Sequence, residues 1–153
     1  MRHRLIFNQT LRCELDTAWL FFTNPYNLSK ITPDDMRFEI KNKELPKSIT
    51  KGLKIDYIVS PLWNIPLKWK TEITDVQHQE LFADMQLVGP FKYWLHTHTF
   101  EPCAEGVSMT DVIEYELPLG WIGEIAHTMF VKRRLNAIFT FRRKILDHTF
   151  NNA

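Results

Sequence analysis

The sequence predicts an α+β fold in which a curved antiparallel sheet of six to seven strands wraps around one long C-terminal helix, with two short helices after the first strand. The main observation is a run of six segments between residues 36 and 118, most of them with apolar and polar residues in alternation. Short breaks separate these segments, which is typical of an antiparallel meander. The second observation is the last segment, residues 121–149, which contains no proline and only one glycine, Gly123.

The first strand is the segment "RHRLIFNQTLRC", whose alternation places Leu5, Phe7, Gln9 and Leu11 on one side. After it, Asp16 is expected to cap a short helix that ends at Phe22, because a side-chain oxygen at this position accepts a hydrogen bond from the first turn. Asn24 followed by Pro25 marks the start of a second short helix, since proline suits the first helical position. The strands then follow as "MRFEI", "GLKIDYIV", "PLKWKTEITDV", "ELFADMQLV", "FKYWLHTHTFE" and "GVSMTDVIEYEL".

The terminal helix is long compared with the expected size of the molecule. At ~1.5 Å per residue it would extend ~43 Å, whereas a compact chain of this length should be only ~38 Å across. The helix must therefore run the full length of the molecule, and its apolar side needs one large partner, which only the sheet can provide. A curved sheet around such a helix leaves a hollow unless side chains fill it, and this is a ligand-binding architecture.

The composition argues against two classes of protein, those that bind nucleic acid and those that span a membrane. The net charge is +1, and 24% of residues are charged, so nothing indicates a nucleic-acid-binding protein. No apolar run approaches the ~18 residues of a membrane-spanning helix. Cys13 and Cys103 lack the spacing of a metal site, which indicates free thiols in a reducing compartment. We expect one domain, residues 1–153, in the cytoplasm, as a monomer or weak dimer without a cofactor. Aromatic residues make up 13% and could fill a core or line a pocket.

Three motifs point to a known superfamily. They are "GPFKYWLHTHTF" (residues 89–100), "MTDVIEYELPLG" (residues 109–120) and "IFTFR" (residues 138–142), and "NLSKITP" (residues 27–33) adds a fourth match. Together with the order of elements, these motifs resemble the START / Bet v 1 superfamily, also called SRPBCC proteins, over essentially the whole chain. Within it they resemble a small bacterial subgroup described as ligand-binding or polyketide-cyclase-like. The resemblance implies the helix-grip fold and a ligand cavity between the sheet and the terminal helix.

A polar cluster is predicted on the inner face of the sheet. His96 and His98 share one side of their strand, and counting across the turn at residues 102–106 pairs positions whose numbers sum to about 207–209. This register puts Asp111 beside the two histidines, and Asp84 and Gln86 on the preceding strand could join them. Structural pairing, recognition of a ligand headgroup, acid–base catalysis and metal binding all remain open for this cluster. We expect no metal there, because the imidazoles and carboxylates can satisfy one another.

Arg142 is the other candidate, because it lies within the apolar stripe of the terminal helix. An arginine there either pairs with a buried carboxylate, such as Asp111 or Glu114, or binds an anionic ligand group. The segment "SPLWNIPLKW" (residues 60–69) could form a lid or pack in the core. The basic groups "KRR" and "RRK" of the terminal helix indicate a solvated helix face, with attraction to a membrane surface or to nucleic acid as the alternative.

The predicted function is binding of a hydrophobic or amphipathic small molecule that is lipid-, polyketide- or quinone-like. The alternative is an enzyme of cyclase, dehydratase or hydrolase type that uses His96, His98 and Asp111 for proton transfer. A third alternative is an accessory protein that uses the fold as a scaffold. No catalytic residue can be assigned from the sequence. The expected ligand-binding residues are Trp69, Asp84, Gln86, Trp94, His96, His98, Phe100, Asp111, Tyr115 and Arg142.

Overall fold

The computed structural model describes residues 1–152 and contains a seven-stranded antiparallel sheet. The strands are β1 (Arg2–Leu11), β2 (Glu39–Ile40), β3 (Lys54–Val59), β4 (Leu67–Gln77), β5 (Leu81–Val88), β6 (Tyr93–Cys103) and β7 (Gly106–Glu116). Their order in the sheet is β1-β7-β6-β5-β4-β3-β2, so consecutive strands pair except that β1 lies against β7. The predicted fold class is confirmed.

The helices lie between β1 and β2 and after β7 in the chain. Helix α1 (Leu15–Phe22) is followed by two 3-10 helices, Pro25–Ile31 and Asp34–Met36. The terminal helix, here called α2, is continuous over residues 120–151. It consists of two α-helical segments, Gly120–Ala126 and Lys132–Leu146, each followed by a π-helical turn, His127–Val131 and Asp147–Asn151. At 1.5 Å per residue it extends roughly 48 Å, and the prediction of one long helix is confirmed.

The sheet is irregular in β4. The register against β5 shifts between Lys70 and Thr71 and again between Ile73 and Asp75. Extra residues of this kind bend a strand and increase its twist, so β4 helps to curve the sheet around α2. Side chains on the inner face form two apolar clusters, one around Trp19, Phe82, Phe100 and Leu146 and the other around Trp69, Trp94, Tyr115 and Phe139.

Several local predictions can be compared with the structure. Asn24 caps the second helix as predicted, since its Oδ1 accepts a hydrogen bond from the backbone N–H of Tyr26 at 3.1 Å. The prediction that Asp16 caps α1 is wrong. Glu14 occupies the cap position, and its side chain makes no capping hydrogen bond. Asp16 lies in the first turn, where its Oδ1 accepts a hydrogen bond from Gln79 Nε2 at 3.0 Å instead.

Two strand boundaries also differ from the prediction. Only two residues of "MRFEI" form β2, because a 3-10 helix ends at Met36 and Arg37 then adopts the left-handed conformation with φ 49°. Strand β4 extends one residue beyond the predicted segment, to Gln77, and Asp75 lies within it opposite Ala83. The turn comes later, after Gln77, where the N–H of Glu80 donates to Gln77 O at 2.9 Å.

Candidate functional site

A cavity of about 430 Å³ lies between the curved sheet and α2. Most of its lining is apolar and comes from β3, β4, β6, the 3-10 helix Pro25–Ile31 and α2. Six of the ten residues that the sequence predicted for ligand binding line it: Trp69, Asp84, Trp94, His96, His98 and Arg142. Because the cavity is apolar with a few polar groups, it has the composition of a small-molecule site.

The wall is rich in aromatic rings that contact one another. The rings of Trp69 and Trp94 meet edge to face with centroids 5.4 Å apart, and Phe91 lies 4.8 Å from Trp94. Tyr57 stacks on Trp69 at 5.9 Å. Tyr57 on β3 lies directly opposite Trp69 on β4, so the two side chains share one face of the sheet, and that face points inward. Mutual contact holds these rings in place, so the wall offers a preformed flat surface.

The predicted polar cluster forms, and the strand register explains how. His98 lies opposite Asp111 and His96 opposite Ile113 on β7, so paired numbers sum to 209 as predicted. His96 Nε2 is 2.9 Å from Asp111 Oδ1, and His98 Nδ1 is 2.8 Å from the same oxygen. On its other side, His98 Nε2 is 3.3 Å from Asp84 Oδ2. The two imidazole rings stack with centroids 3.8 Å apart.

The pKa values of the two histidines shift in opposite directions. For His96, burial and the neighbouring His98 lower the pKa below its ordinary value. Burial alone would also lower the pKa of His98, but the contacts with Asp111 and Asp84 outweigh burial and raise it. Both ring nitrogens of His98 lie near a carboxylate oxygen, although Nδ1 makes no well-aligned hydrogen bond within residues 1–152. These charges favour the protonated form of His98 more than that of His96.

Asp111 is the buried centre of the cluster, with a residue exposure of 3%. Burial alone would raise its pKa, but the two histidines outweigh burial and hold the pKa far below its ordinary value. The carboxylate is therefore ionised at neutral pH. Asp111 lies behind the histidines and does not line the cavity, so it orients the imidazoles and does not face a ligand.

Arg142 projects from α2 into the cavity and is 8% exposed. Its Nε has no hydrogen-bond partner, and its Cζ lies 4.7 Å from the centroid of the Phe139 ring. Within residues 1–152, no carboxylate oxygen lies within 4.0 Å of its guanidinium, so the predicted direct pair with Asp111 or Glu114 is absent. Burial lowers its pKa, while Asp111 and Asp84 oppose that effect through their charges at longer range.

Gln86, Phe100 and Tyr115 are the other predicted residues that do not line the cavity. Gln86 closes the β5–β6 turn: its Nε2 donates to Phe91 O at 2.7 Å and its Oε1 accepts from Phe91 N–H. Phe100 is packed in the core, 5.5 Å from the ring of Trp19. Tyr115 is fully buried and its hydroxyl is hydrogen-bonded to His127 Nε2 at 2.8 Å. Phe100 and Tyr115 are buried under neighbouring side chains, whereas Gln86 is half-buried at the turn.

Among the cavity-lining residues on the strands, sequence reasoning missed two polar ones, Tyr57 and Thr71. Each residue alternates with apolar residues of its strand, and this pattern could have placed both side chains on the inner face. Neither residue belongs to one of the motifs, so neither was selected. Burial raises the pKa of Tyr57 well above its ordinary value, so its phenol stays neutral. Thr71 Oγ1 and Trp69 Nε1 are buried without a hydrogen-bond partner, as is Arg142 Nε. The wall thus holds several unused donors.

The loop between β3 and β4 forms one edge of the cavity. Trp63 and Ile65, which are 72% and 53% exposed, line it together with Pro61. Arg134 Nε donates to Pro61 O at 2.7 Å, and the Trp63 ring contacts Phe130 of α2 at 5.8 Å. The same end of α2 exposes further apolar side chains, namely Trp121, Ile122, Ile125 and Met129. No helix within residues 1–152 is long and apolar enough to cross a membrane.

Two groups of side chains have the close spacing that a metal ion requires. Asp84, His96 and His98 form one group on the cavity wall. The other consists of His3, Glu124 and His127, where the imidazoles stack at 3.6 Å and His3 Nε2 is 2.9 Å from Glu124 Oε2. In each group one imidazole nitrogen already contacts the carboxylate of the group, while His96 and His127 bond to Asp111 and Tyr115 outside it. The absence of metal at His96 and His98 stays a prediction.

Comparison with known proteins identifies the fold. A protein from Chromobacterium violaceum superposes with a TM-score of 0.74 over 98% of this chain and 99% of its own, at 11% sequence identity. The major latex-like protein 151 of Panax ginseng gives a TM-score of 0.70 over 97% of each chain at 16% identity. The chain has a Bet v 1-like helix-grip fold.

A protein from Mycobacterium smegmatis is similar at a TM-score of 0.66 and 17% identity, over 95% of this chain and 92% of that one. No protein-family model matches the sequence. No curated protein matches it either. At these identities the likeness extends to the fold alone, so the function has to be argued from the cavity of this chain.

Proposed function

We propose that this protein binds a hydrophobic or amphipathic small molecule in the cavity between the sheet and α2. The proposal rests above all on the apolar cavity of about 430 Å³, whose aromatic wall carries a few convergent polar groups. A void of that size in a core costs stability, because cavities in cores are destabilising. A bound apolar ligand would recover that loss by burying its own surface. The scaffold alternative gives no reason for such a cavity.

The ligand would lie against Trp69 and Trp94, with its polar end toward Asp84, His98 and Arg142. Lipid-, polyketide- and quinone-like molecules all have this combination of a large apolar body and a polar end. The motifs shared with small bacterial SRPBCC proteins support the same class of ligand. We further propose that residues 1–153 act as one domain in the cytoplasm, as a monomer or weak dimer, in line with the free Cys13 and Cys103.

Native mass spectrometry of the purified protein tests the proposal. We expect an adduct of discrete mass that survives gentle ionisation and disappears after extraction with organic solvent. Solvent-treated protein should then take up an added apolar fluorophore, 1-anilinonaphthalene, with enhanced emission. If the purified protein carries no adduct and the solvent-treated protein takes up no fluorophore, the proposal is contradicted.

An enzyme of cyclase, dehydratase or hydrolase type is the second candidate. Adjacent histidines whose pKa values move in opposite directions favour it, because one can act as acid while the other acts as base. Both imidazoles line the cavity. If the co-purified molecule is extracted and incubated with fresh protein, a change of its mass that is lost in His98→Gln would indicate catalysis. An unchanged mass over many hours would leave binding as the function.

Contact with a membrane surface is a further part of the proposal, because an apolar ligand partitions into the bilayer and the protein would have to bind it there. The exposed Met129 lies one turn before the basic Lys132 on α2, and the exposed Trp63 contacts Phe130 of the same helix. Trp121 is exposed nearer the start of this helix. Such a combination favours the interface of an anionic bilayer. Cosedimentation with phosphatidylglycerol vesicles should decrease in the double variant Trp63→Ser, Trp121→Ser. Equal cosedimentation of this variant and the wild type would contradict membrane contact through these residues.

A further inference from the structure

Two side chains of the cavity wall carry buried donors that the protein does not use. Arg142 Nε and Trp69 Nε1 are buried and make no hydrogen bond within residues 1–152, and both groups can only donate. The carboxylates of Asp84 and Asp111 are the strongest acceptors nearby, but both already contact His98. A buried donor without an acceptor is costly, so the ligand is expected to bring an oxygen acceptor to this part of the wall.

The charges of the cluster decide which acceptor fits. The groups that act on Arg142 are Tyr57 from β3, Asp84 from β5 and Asp111 from β7, with His96 and His98 from β6 beside the two aspartates. Two carboxylates act on one guanidinium through their charges, and His98, which contacts both carboxylates, can supply a second positive charge. With His96 neutral, the cluster therefore holds at most as many positive as negative charges, although the donors of Arg142 are not used.

A ligand carboxylate would disturb this balance. It would add a third negative charge to a buried cluster that contains at most two positive charges while His96 is neutral, and an uncompensated buried charge is strongly unfavourable. His96 would have to take up a proton to restore neutrality. A carbonyl oxygen accepts the same hydrogen bonds from Arg142 and adds no charge.

On these grounds we infer that the polar end of the ligand is a neutral carbonyl group, and that Arg142 donates to its oxygen with Trp69 Nε1 as the second donor. This inference rests on the proposed function, since it describes the end of a ligand that the cavity is proposed to bind. It makes Arg142 a specificity-determining residue that distinguishes ketones from hydrocarbons and from carboxylates.

A series of three naphthalenes tests the inference by isothermal titration calorimetry at pH 8. 2-Acetylnaphthalene carries a carbonyl, 2-ethylnaphthalene has a similar shape without an acceptor, and 2-naphthoate carries a carboxylate. We expect the wild type to bind the ketone about tenfold or more tightly than the hydrocarbon, as for one hydrogen bond to a charged group. The carboxylate should bind more weakly than the ketone, and its binding should become tighter at pH 6 with uptake of a proton.

Variants assign the effect to the proposed donors. In Arg142→Met the affinity for the ketone should fall to that for the hydrocarbon, while the affinity for the hydrocarbon changes by less than about threefold. Trp69→Phe, which keeps an aromatic ring, should reduce the preference for the ketone partially and serves if Arg142→Met does not fold. Arg133→Met is the matched control, because Arg133 is an exposed arginine of the same helix, and its preference should equal that of the wild type.

The outcomes separate the two proposals. Equal binding of ketone and hydrocarbon by the wild type would overturn the carbonyl inference and leave the proposed function intact. Tighter binding of naphthoate than of the ketone at pH 8 would overturn the charge argument and make the polar end an anion. If none of the three binds to a wild type that takes up 1-anilinonaphthalene, the carbonyl inference is overturned and the proposed function stands, whereas a wild type that binds neither the fluorophore nor any of the three contradicts both.

Discussion

Asp111 is the residue on which the interior polar cluster depends. It is 3% exposed and contacts both His96 and His98 through Oδ1. In Asp111→Ala, His98, whose protonated form these contacts favour, would lose one of its two carboxylate neighbours within a buried site. We expect a loss of ~3–5 kcal/mol in the free energy of unfolding, the range for breaking a buried ion pair, measured by urea denaturation at pH 7.

Asp75→Ala is the control for this variant. Asp75 lies on the same sheet, and its Oδ2 accepts only an exposed hydrogen bond from Gln77 Nε2 at 3.1 Å. Its replacement should change the free energy of unfolding by less than ~0.5 kcal/mol, as for an ordinary surface change. If both variants unfold at the same urea concentration as the wild type, the cluster does not stabilise the fold.

His98 should make the stability depend on pH in a defined direction. Its pKa is raised in the folded protein, so its contribution is complete below the ordinary value of ~6.5 and is lost as the pH rises through the folded pKa. The stability difference between wild type and His98→Gln should therefore be larger at pH 6 than at pH 9. Urea denaturation at both pH values measures it.

His78→Gln is the reference for that measurement, because His78 is exposed in the turn between β4 and β5. Its difference from the wild type should be nearly the same at pH 6 and pH 9. A difference for His98→Gln that grows with rising pH would contradict the assignment of the proton to His98.

At the scale of single elements, the start of α2 depends on the absence of a side chain at Gly123. A Cβ atom there would lie 2.2 Å from Pro118 O and 3.1 Å from the Cβ of Leu117. Alanine normally favours a helix over glycine by ~1 kcal/mol, but this clash requires the helix to move away from the end of β7. We expect Gly123→Ala to destabilise the protein by ~1–3 kcal/mol, as overpacking does, measured by thermal or urea unfolding.

A matched change elsewhere on α2 should have the opposite sign. Thr140 is exposed on the same helix, and Thr140→Ala should stabilise the protein by a few tenths of a kcal/mol through helix propensity alone. If Gly123→Ala were as stabilising as Thr140→Ala, the contact between α2 and the end of β7 would be looser than described.

At the scale of the whole molecule, sheet and helix enclose a space that their side chains do not fill. Ile138 lines this space, whereas Leu146, two turns further along α2, is fully buried in the packed cluster around Trp19. Ile138→Phe should extend into the cavity, with a melting temperature equal to or above that of the ligand-free wild type. Its affinity for 1-anilinonaphthalene should fall about tenfold or more, since ligand and ring would compete for the same volume.

Leu146→Phe provides the contrast on the same helix. The added volume would meet packed atoms, and we expect a loss of ~1–3 kcal/mol without a direct effect on the fluorophore site. If Ile138→Phe is the more destabilising of the two in thermal melts, the space beside Ile138 is not an open cavity.

The sequence by itself determined the elements and the arrangement of the sheet. Alternation predicted the strands, Asn24-Pro25 marked the second short helix, and the uninterrupted segment after Trp121 required a helix as long as the molecule. The short turn after Cys103 fixed the register of β6 and β7, and therefore the meeting of His98 with Asp111. These features follow from period, turn length and local propensity, which are properties of neighbouring positions in the chain.

Only the tertiary structure decided which inward residues border the cavity. Phe100 and Trp94 lie on the same side of β6, yet Trp94 lines the cavity and Phe100 is covered by Trp19 and Phe22. Arg142 was placed on the inner stripe of α2 by its spacing, but its lack of a direct carboxylate partner could not be predicted. A void is what remains after distant segments have packed, so its position depends on the curvature of the sheet and the volumes of side chains far apart in the sequence.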